Sequence, residues 1–144
     1  MPKDFAPVPL SELKTFTNGE FYDDEFSKGR YSTDASIYQI QPLAVFIPKS
    51  KDDVIKAVNF CLNNNISILP RGGGTSQCGQ TVNCSLVIDN SKYFNKIIDF
   101  DEKNKTCTVE PGIVLDELNK FLKPFGLWFP VDVSTSSRAT IGGM

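Results

Sequence analysis

The chain has 144 residues, 40% of them hydrophobic and 22% charged, with a net charge of -2 and no histidine; this suits about one globular domain with a real core. It gives no electrostatic support to a nucleic-acid partner, which needs clustered Lys and Arg, and it removes histidine acid–base chemistry from these residues. No window reaches the ~20 apolar residues of a membrane span and Met1-Pro2-Lys3-Asp4 opens no signal peptide, so a cytoplasmic or membrane-peripheral protein is the default expectation.

Residues 1–41 are polar and aromatic with weak periodicity, and Asn18-Gly19, Asp23-Asp24 and Lys28-Gly29 read as turns. An arm or short helices packing on a domain at 42–144 is expected. Leu43-Ala44-Val45-Phe46-Ile47, bounded by Pro42 and Pro48, reads as a buried strand. Ser50 precedes Asp53 at capping-box spacing. Val54, Ala57, Val58, Cys61 and Leu62 then recur as the apolar face of a helix that ends at Asn63-Asn64-Asn65. Ile66 to Pro70 is a second strand, so a parallel strand–helix–strand unit is predicted. Ser85 to Asp89 is a further strand. Lys96–Phe100 and Lys105–Val109 flank Asp101-Glu102-Lys103-Asn104 as a hairpin with a four-residue turn. Pro111-Gly112 opens a second helix with Val114, Leu115, Leu118, Phe121 and Leu122 on its apolar face and Pro124 at its end. Leu127-Trp128-Phe129 reads as a short strand. The chain stops within Gly142-Gly143-Met144, which resembles the middle of a loop, so a domain incomplete at its C-terminus is expected.

The four cysteines, Cys61, Cys78, Cys84 and Cys107, form no C-x-x-C pair. A zinc site would have to draw on four unrelated segments. Without a secretion signal they read as reduced thiols, Cys61 and Cys107 half-buried in a helix and a strand.

The chemistry sits in Pro70-Arg71-Gly72-Gly73-Gly74-Thr75-Ser76-Gln77-Cys78-Gly79. Three consecutive glycines are entropically expensive, and the usual return is close backbone approach to a ligand with N–H groups facing anionic oxygens. A P-loop would need a lysine where Gln80 stands and a helix where Leu86-Val87-Ile88 reads as a strand. A Rossmann fingerprint would need a third glycine at Gln77. A purely structural loop is the remaining plain reading.

The loop also resembles the diphosphate-binding loop of the FAD-linked oxidases of the vanillyl-alcohol-oxidase (PCMH-type) superfamily. Three other stretches agree, in order. Tyr31-Ser32-Thr33-Asp34-Ala35, with Pro42, Val45, Pro48, Ser50 and Asp53-Val54, is similar to the lead-in of the D-lactate, glycolate and D-2-hydroxyglutarate dehydrogenase branch. Val109-Glu110-Pro111-Gly112 resembles the step before that family's second helix. Pro130, Ser134 and Ala139-Thr140-Ile141-Gly142-Gly143-Met144 resemble its second flavin-contacting segment. The Tyr31–Tyr38 stretch is most similar to large members that carry a C-terminal iron–sulfur region.

The resemblance implies an α/β (α+β) PCMH-type FAD-binding fold, with a parallel first subdomain over 42 to about 90 and the start of an antiparallel second one. It implies that Gly72, Gly73, Gly74, Thr75 and Ser76 hold the pyrophosphate and that Gly79 and Gln80 continue the cradle. Pro130, Asp132 and Ser134 would lie along the ribityl and isoalloxazine side, with Thr140, Ile141, Gly142 and Gly143 completing the wrap. Arg71 has two readings, a diphosphate contact or a buried ion pair at the strand end. Some relatives tether flavin through a His that Thr75 replaces here, or through a Cys near Trp128–Ser134 where none occurs, so non-covalent FAD is expected. The implied reaction is oxidation of a D-2-hydroxy acid by hydride transfer to flavin. The family's substrate-binding Arg and catalytic His belong to a C-terminal domain not among these residues, so the fragment alone is expected to be inactive. A non-catalytic remnant without flavin, and a P-loop-like nucleotide-binding protein, are the alternatives.

Overall fold

A computed structural model describes residues 9–144; Met1 to Val8 lie outside the described residues. Two sheets organise the chain. The first has four strands in the order β1 (Glu20–Tyr22), β2 (Ala44–Ile47), β4 (Leu86–Asp89) and β3 (Ile68–Arg71). β1 runs antiparallel to β2, while β2 and β3 both run parallel to β4. The second is an antiparallel hairpin of β5 (Ile97–Asp101) and β6 (Thr106–Val109), turned at Lys105 with a φ of 54°.

The expected parallel unit forms, but its two strands are not neighbours. β4 inserts between β2 and β3. The burial pattern gives the reason. Ala44–Ile47 and Leu86–Asp89 are buried along their whole length, which suits strands covered on both faces. β3 is only half-buried and contains Pro70, whose missing N–H is tolerated at an edge. Because β3 and β4 are parallel, the chain leaving Arg71 must travel back along the sheet before entering β4 at Leu86. The glycine-rich segment is that return path.

Helix α3 (Lys51–Asn63) covers one face of this sheet. Its capping box is complete: Asp53 N–H donates to Ser50 Oγ, and the Asp53 carboxylate accepts from the Ser50 amide. Its buried residues are Asp53, Ala57 and Cys61, of which Ala57 and Cys61 pack with Ala44, Phe46, Leu86 and Ile88. Two expected apolar positions, Val58 and Leu62, face solvent instead, because the sheet is met by a narrower stripe. Cys61 is fully buried, not half-buried, and burial pushes its thiol up to about 11.

The segment before β2 supplies α1 (Leu13–Phe16), β1 and α2 (Glu25–Tyr31). Leu13 is buried in the main core, and Tyr22 and Tyr31 pack on the opposite sheet face with Val45, Ile47 and Val87. Lys28-Gly29, expected as a turn, lies inside α2, which Asp24 caps by accepting from the Ser27 amide. Helix α4 (Leu115–Leu122) packs Leu118 and Leu122 against Phe100, Cys107 and Val109 of the hairpin. It begins after Pro111-Gly112 rather than at them, and Pro124 falls in a following 3-10 turn. Leu127–Phe129 forms no strand; Phe129 N–H is satisfied by Asn119 Oδ1 at 2.7 Å, a side-chain partner that periodicity does not reveal.

Candidate functional site

A cavity of about 740 Å³ lies where the return path from β3 meets the C-terminal segment. Arg71, Gly72, Gly73, Gly74, Thr75, Ser76 and Gln80 line one side. Ser134, Thr140, Gly142 and Gly143 line the other. Gly79, Pro130, Asp132 and Ile141 are not among the lining residues. Gly79 instead backs onto the Tyr38 ring at a φ of 74°, and Ile141 packs with the hairpin core. Val131 and Val133 line the cavity in the stretch where Pro130 and Asp132 were expected, a segment without regular structure in which the Val131 N–H donates to the Phe129 carbonyl. Thr81, Asn90 and Pro111 are lining residues that the sequence reading missed.

The loop is organised by its own side chains. Ser76 Oγ donates to Gln80 Oε1 at 2.8 Å and accepts from the Cys78 and Gln80 amides. The Arg71 guanidinium donates to the carbonyls of Tyr31 (3.1 Å), Thr81 (3.0 Å) and Thr33 (2.9 Å), and lies over the Tyr31 ring. Gly74 has a φ of 65°, and a Cβ there would come within 2.6 Å of that guanidinium. By contrast, among the described residues no group accepts a hydrogen bond from the amides of Gly72, Gly73, Gly74, Thr75, Ser76 or Gln77. A row of unspent donors is a recurrent anion-binding arrangement. Among the described residues, Arg71 is the only formally charged side chain that lines the cavity.

The opposite wall is held differently. The amides of Ile141 and Gly142 donate to Ile113 and Pro111, and the Gly143 amide to Thr140. These donors are spent, so this segment offers a surface and a hydroxyl rather than an amide row. The hydroxyl is Thr140 Oγ1, which is buried and has no hydrogen-bond partner among the described residues. It sits against Gly72, where a Cβ would collide with it, and a Cβ on Gly73 would collide with the Arg138 carbonyl. The glycine triplet therefore serves two ends: it lets the loop touch the C-terminal segment, and it keeps the backbone exposed to the cavity.

A two-part α/β domain with an amide row and an orphaned hydroxyl across one nucleotide-sized cavity defines a binding domain for a phosphate-bearing ligand. A family model described as an FAD binding domain matches residues 42–144, and the chain belongs to that family. It is 44% identical over 116 residues to the D-2-hydroxyglutarate dehydrogenase of Escherichia coli strain K12, covering 78% of this chain and 11% of that protein. It is 37% identical over 137 residues to the glycolate oxidase subunit GlcD of Bacillus subtilis strain 168, covering 92% of this chain and 29% of that protein. Among solved structures, an alkyldihydroxyacetonephosphate synthase superposes with a TM-score of 0.81 at 25% identity, over 93% of this chain and 28% of that one. The chain thus spans between a tenth and a third of the length of these relatives. The site fits FAD on its own chemistry: free amides for an anionic diphosphate, a buried hydroxyl awaiting a polar partner, and, among the described residues, no acidic side chain in the lining. No helix among the described residues is long and apolar enough to cross a membrane.

Proposed function

We propose that these residues are the FAD-holding part of a flavin-dependent oxidoreductase that oxidises a D-2-hydroxy acid, with the flavin bound non-covalently. The unspent amides from Gly72 to Gln77 carry the reading. They are assigned to the diphosphate, where each donor to a charged oxygen contributes about 1.5–3 kcal/mol. Thr75 adds a hydroxyl, while Ser76 and Gln80 hold the loop's shape through their mutual bond. Thr140, Gly142 and Gly143 close the opposite side, with Ser134 and Val131 further along the cavity. Bound FAD supplies a two-electron acceptor; the chain's own contribution is to bind and orient it and to exclude water from its phosphates. The substrate class follows the names of the relatives, a D-2-hydroxyglutarate dehydrogenase and a glycolate oxidase subunit.

The test is a titration of the purified chain with FAD, read by flavin fluorescence. Saturable one-to-one uptake is expected, with all flavin released into the supernatant on acid precipitation. A chain that takes up no flavin, alone or as part of its full-length protein, overturns the reading. Flavin that stays with the acid precipitate overturns its non-covalent part. Oxidation of D-2-hydroxyglutarate, D-lactate or glycolate by the full-length protein then decides the substrate.

A further inference from the structure

One stretch of chain ahead of the family match grips both ends of the glycine-rich loop. Arg71, at the loop's start, donates to the carbonyls of Tyr31 and Thr33 and reaches across to the carbonyl of Thr81 at the loop's end. Asp34 grips that same end from the other direction. Its Oδ2 accepts from the Thr81 hydroxyl at 3.1 Å and from the Thr81 amide at 3.4 Å, while Oδ1 accepts from the Ser36 amide at 2.9 Å. The stretch is itself anchored to the sheet, since Tyr31 Oη donates to Asp89 Oδ2 at 2.7 Å, at the end of β4. Residues 31–36 precede the matched span of 42–144.

We propose that Asp34 and Arg71 are positioning residues that clamp the Gly72–Thr81 loop in its ligand-ready shape, and that Arg71 acts through the backbone instead of pairing its charge with the diphosphate. The proposal rests on the reading that this loop holds FAD. The geometry favours it because both terminal nitrogens of the guanidinium are already engaged, and by three carbonyls fixed on two different segments. A guanidinium spans such acceptors with a rigid planar fork. An ammonium carries the same charge on a single compact head and does not reproduce that span.

That difference supplies the test. Arg71→Lys, Arg71→Ala and Asp34→Ala are compared with the unaltered chain in two measurements. The first is amide hydrogen exchange without FAD at Cys78 and Gln80, the loop amides that donate to Ser76 Oγ; the second is the Kd for FAD at low and high salt. A clamp predicts that Arg71→Lys and Asp34→Ala each speed loop exchange by about tenfold or more and weaken FAD binding by roughly tenfold, the loss of about one charge-assisted hydrogen bond. Exchange in β2 and β4 is expected to stay unchanged, and the salt dependence of Kd to match the unaltered chain. A direct charge contact predicts the reverse: Arg71→Lys retains affinity, Arg71→Ala loses it, and the salt dependence becomes shallower. That result, or unaltered loop exchange in Asp34→Ala, overturns the proposal. If the unaltered chain takes up no FAD, the functional reading fails while the exchange measurement still decides the clamp. If Arg71→Ala does not fold, the lysine variant carries the comparison.

Discussion

At Thr140 the protein keeps a hydroxyl that folding alone gives no reason to keep. It is buried and makes no hydrogen bond to the described residues, a state that costs about 1–3 kcal/mol. Valine has nearly the same shape and no polar atom. Thr140→Val is therefore expected to leave the ligand-free chain as stable or to stabilise it by about 1 kcal/mol, measured by urea denaturation. The same variant is expected to weaken FAD binding by roughly five- to tenfold, because the hydroxyl's partner is assigned to the ligand. A loss of stability without any change in affinity would instead make Thr140 a packing residue. Its contact with Gly72 carries a further consequence. A Cβ on Gly72 would occupy the space of the Thr140 hydroxyl, so Gly72 is fixed by the opposite wall of the cavity as much as by any ligand.

At the scale of elements, stability is concentrated where local sequence and long-range contact agree. The N-terminus of α3 is one such place. Ser50→Ala removes half of the capping box and is expected to destabilise the fold by about 1 kcal/mol in chemical denaturation. The edge strand β1 is held by a charge cluster: Glu20 accepts from Lys92 at 2.8 Å on both oxygens, and also from Tyr93 and Tyr22. The bonds from Lys92 and then Tyr93 hold the Glu20 carboxyl down at about 2, against an ordinary 4.5. The unfolded chain therefore takes up a proton near pH 4.5 that the folded chain refuses until about 2. This stabilisation is complete above about pH 5 and is lost as pH falls towards 2. Thermal midpoints measured from pH 7 to pH 3 should fall less steeply in Glu20→Gln than in the unaltered chain. The contrast between α3 and β1 also explains what the sequence made readable. The helix carries its period, cap and stop within its own residues. β1 is three residues, Glu-Phe-Tyr, that become a strand only because β2 offers an edge. Likewise β4's insertion between β2 and β3 is decided by burial on both faces. Within the site, the glycine triplet was legible because few residues permit such a backbone. Asp34 and Thr81 were not, being 47 positions apart in sequence, nor were Val131 and Val133, because a stretch without regular structure has no period that says which side chains face inward.

At the scale of the whole molecule, the cavity is the seam between the four-stranded sheet with its helix and the hairpin with α4. Among the described residues, few groups cross that seam directly. Thr140 meets Gly72, the Arg138 carbonyl meets Gly73, and Gly112 is lodged against the carbonyls of Asn90 and Phe94, its amide donating to Phe94. A ligand that touches both sides adds its binding energy to this thin contact. At a concentration of 100 times its Kd, it stabilises the folded state by about 2.7 kcal/mol, a midpoint shift on the order of 5–15 °C for a chain of this size. Which part of the ligand carries the shift separates the amide row from the rest of the cavity. FAD is expected to raise the midpoint by that amount, and ADP, which keeps the diphosphate, by part of it. Riboflavin keeps the ring but has no phosphate for the Gly72–Gln77 amides, and it is expected to give no measurable shift at the same concentration. Hydrogen exchange with FAD bound should slow at residues 72–77 and at 139–143 together, since one ligand closes both walls. A shift with riboflavin equal to that with FAD would move the binding energy from the glycine loop to the apolar stretch around Val131 and Val133, and the loop would then be a hinge between the two halves instead of a phosphate cradle.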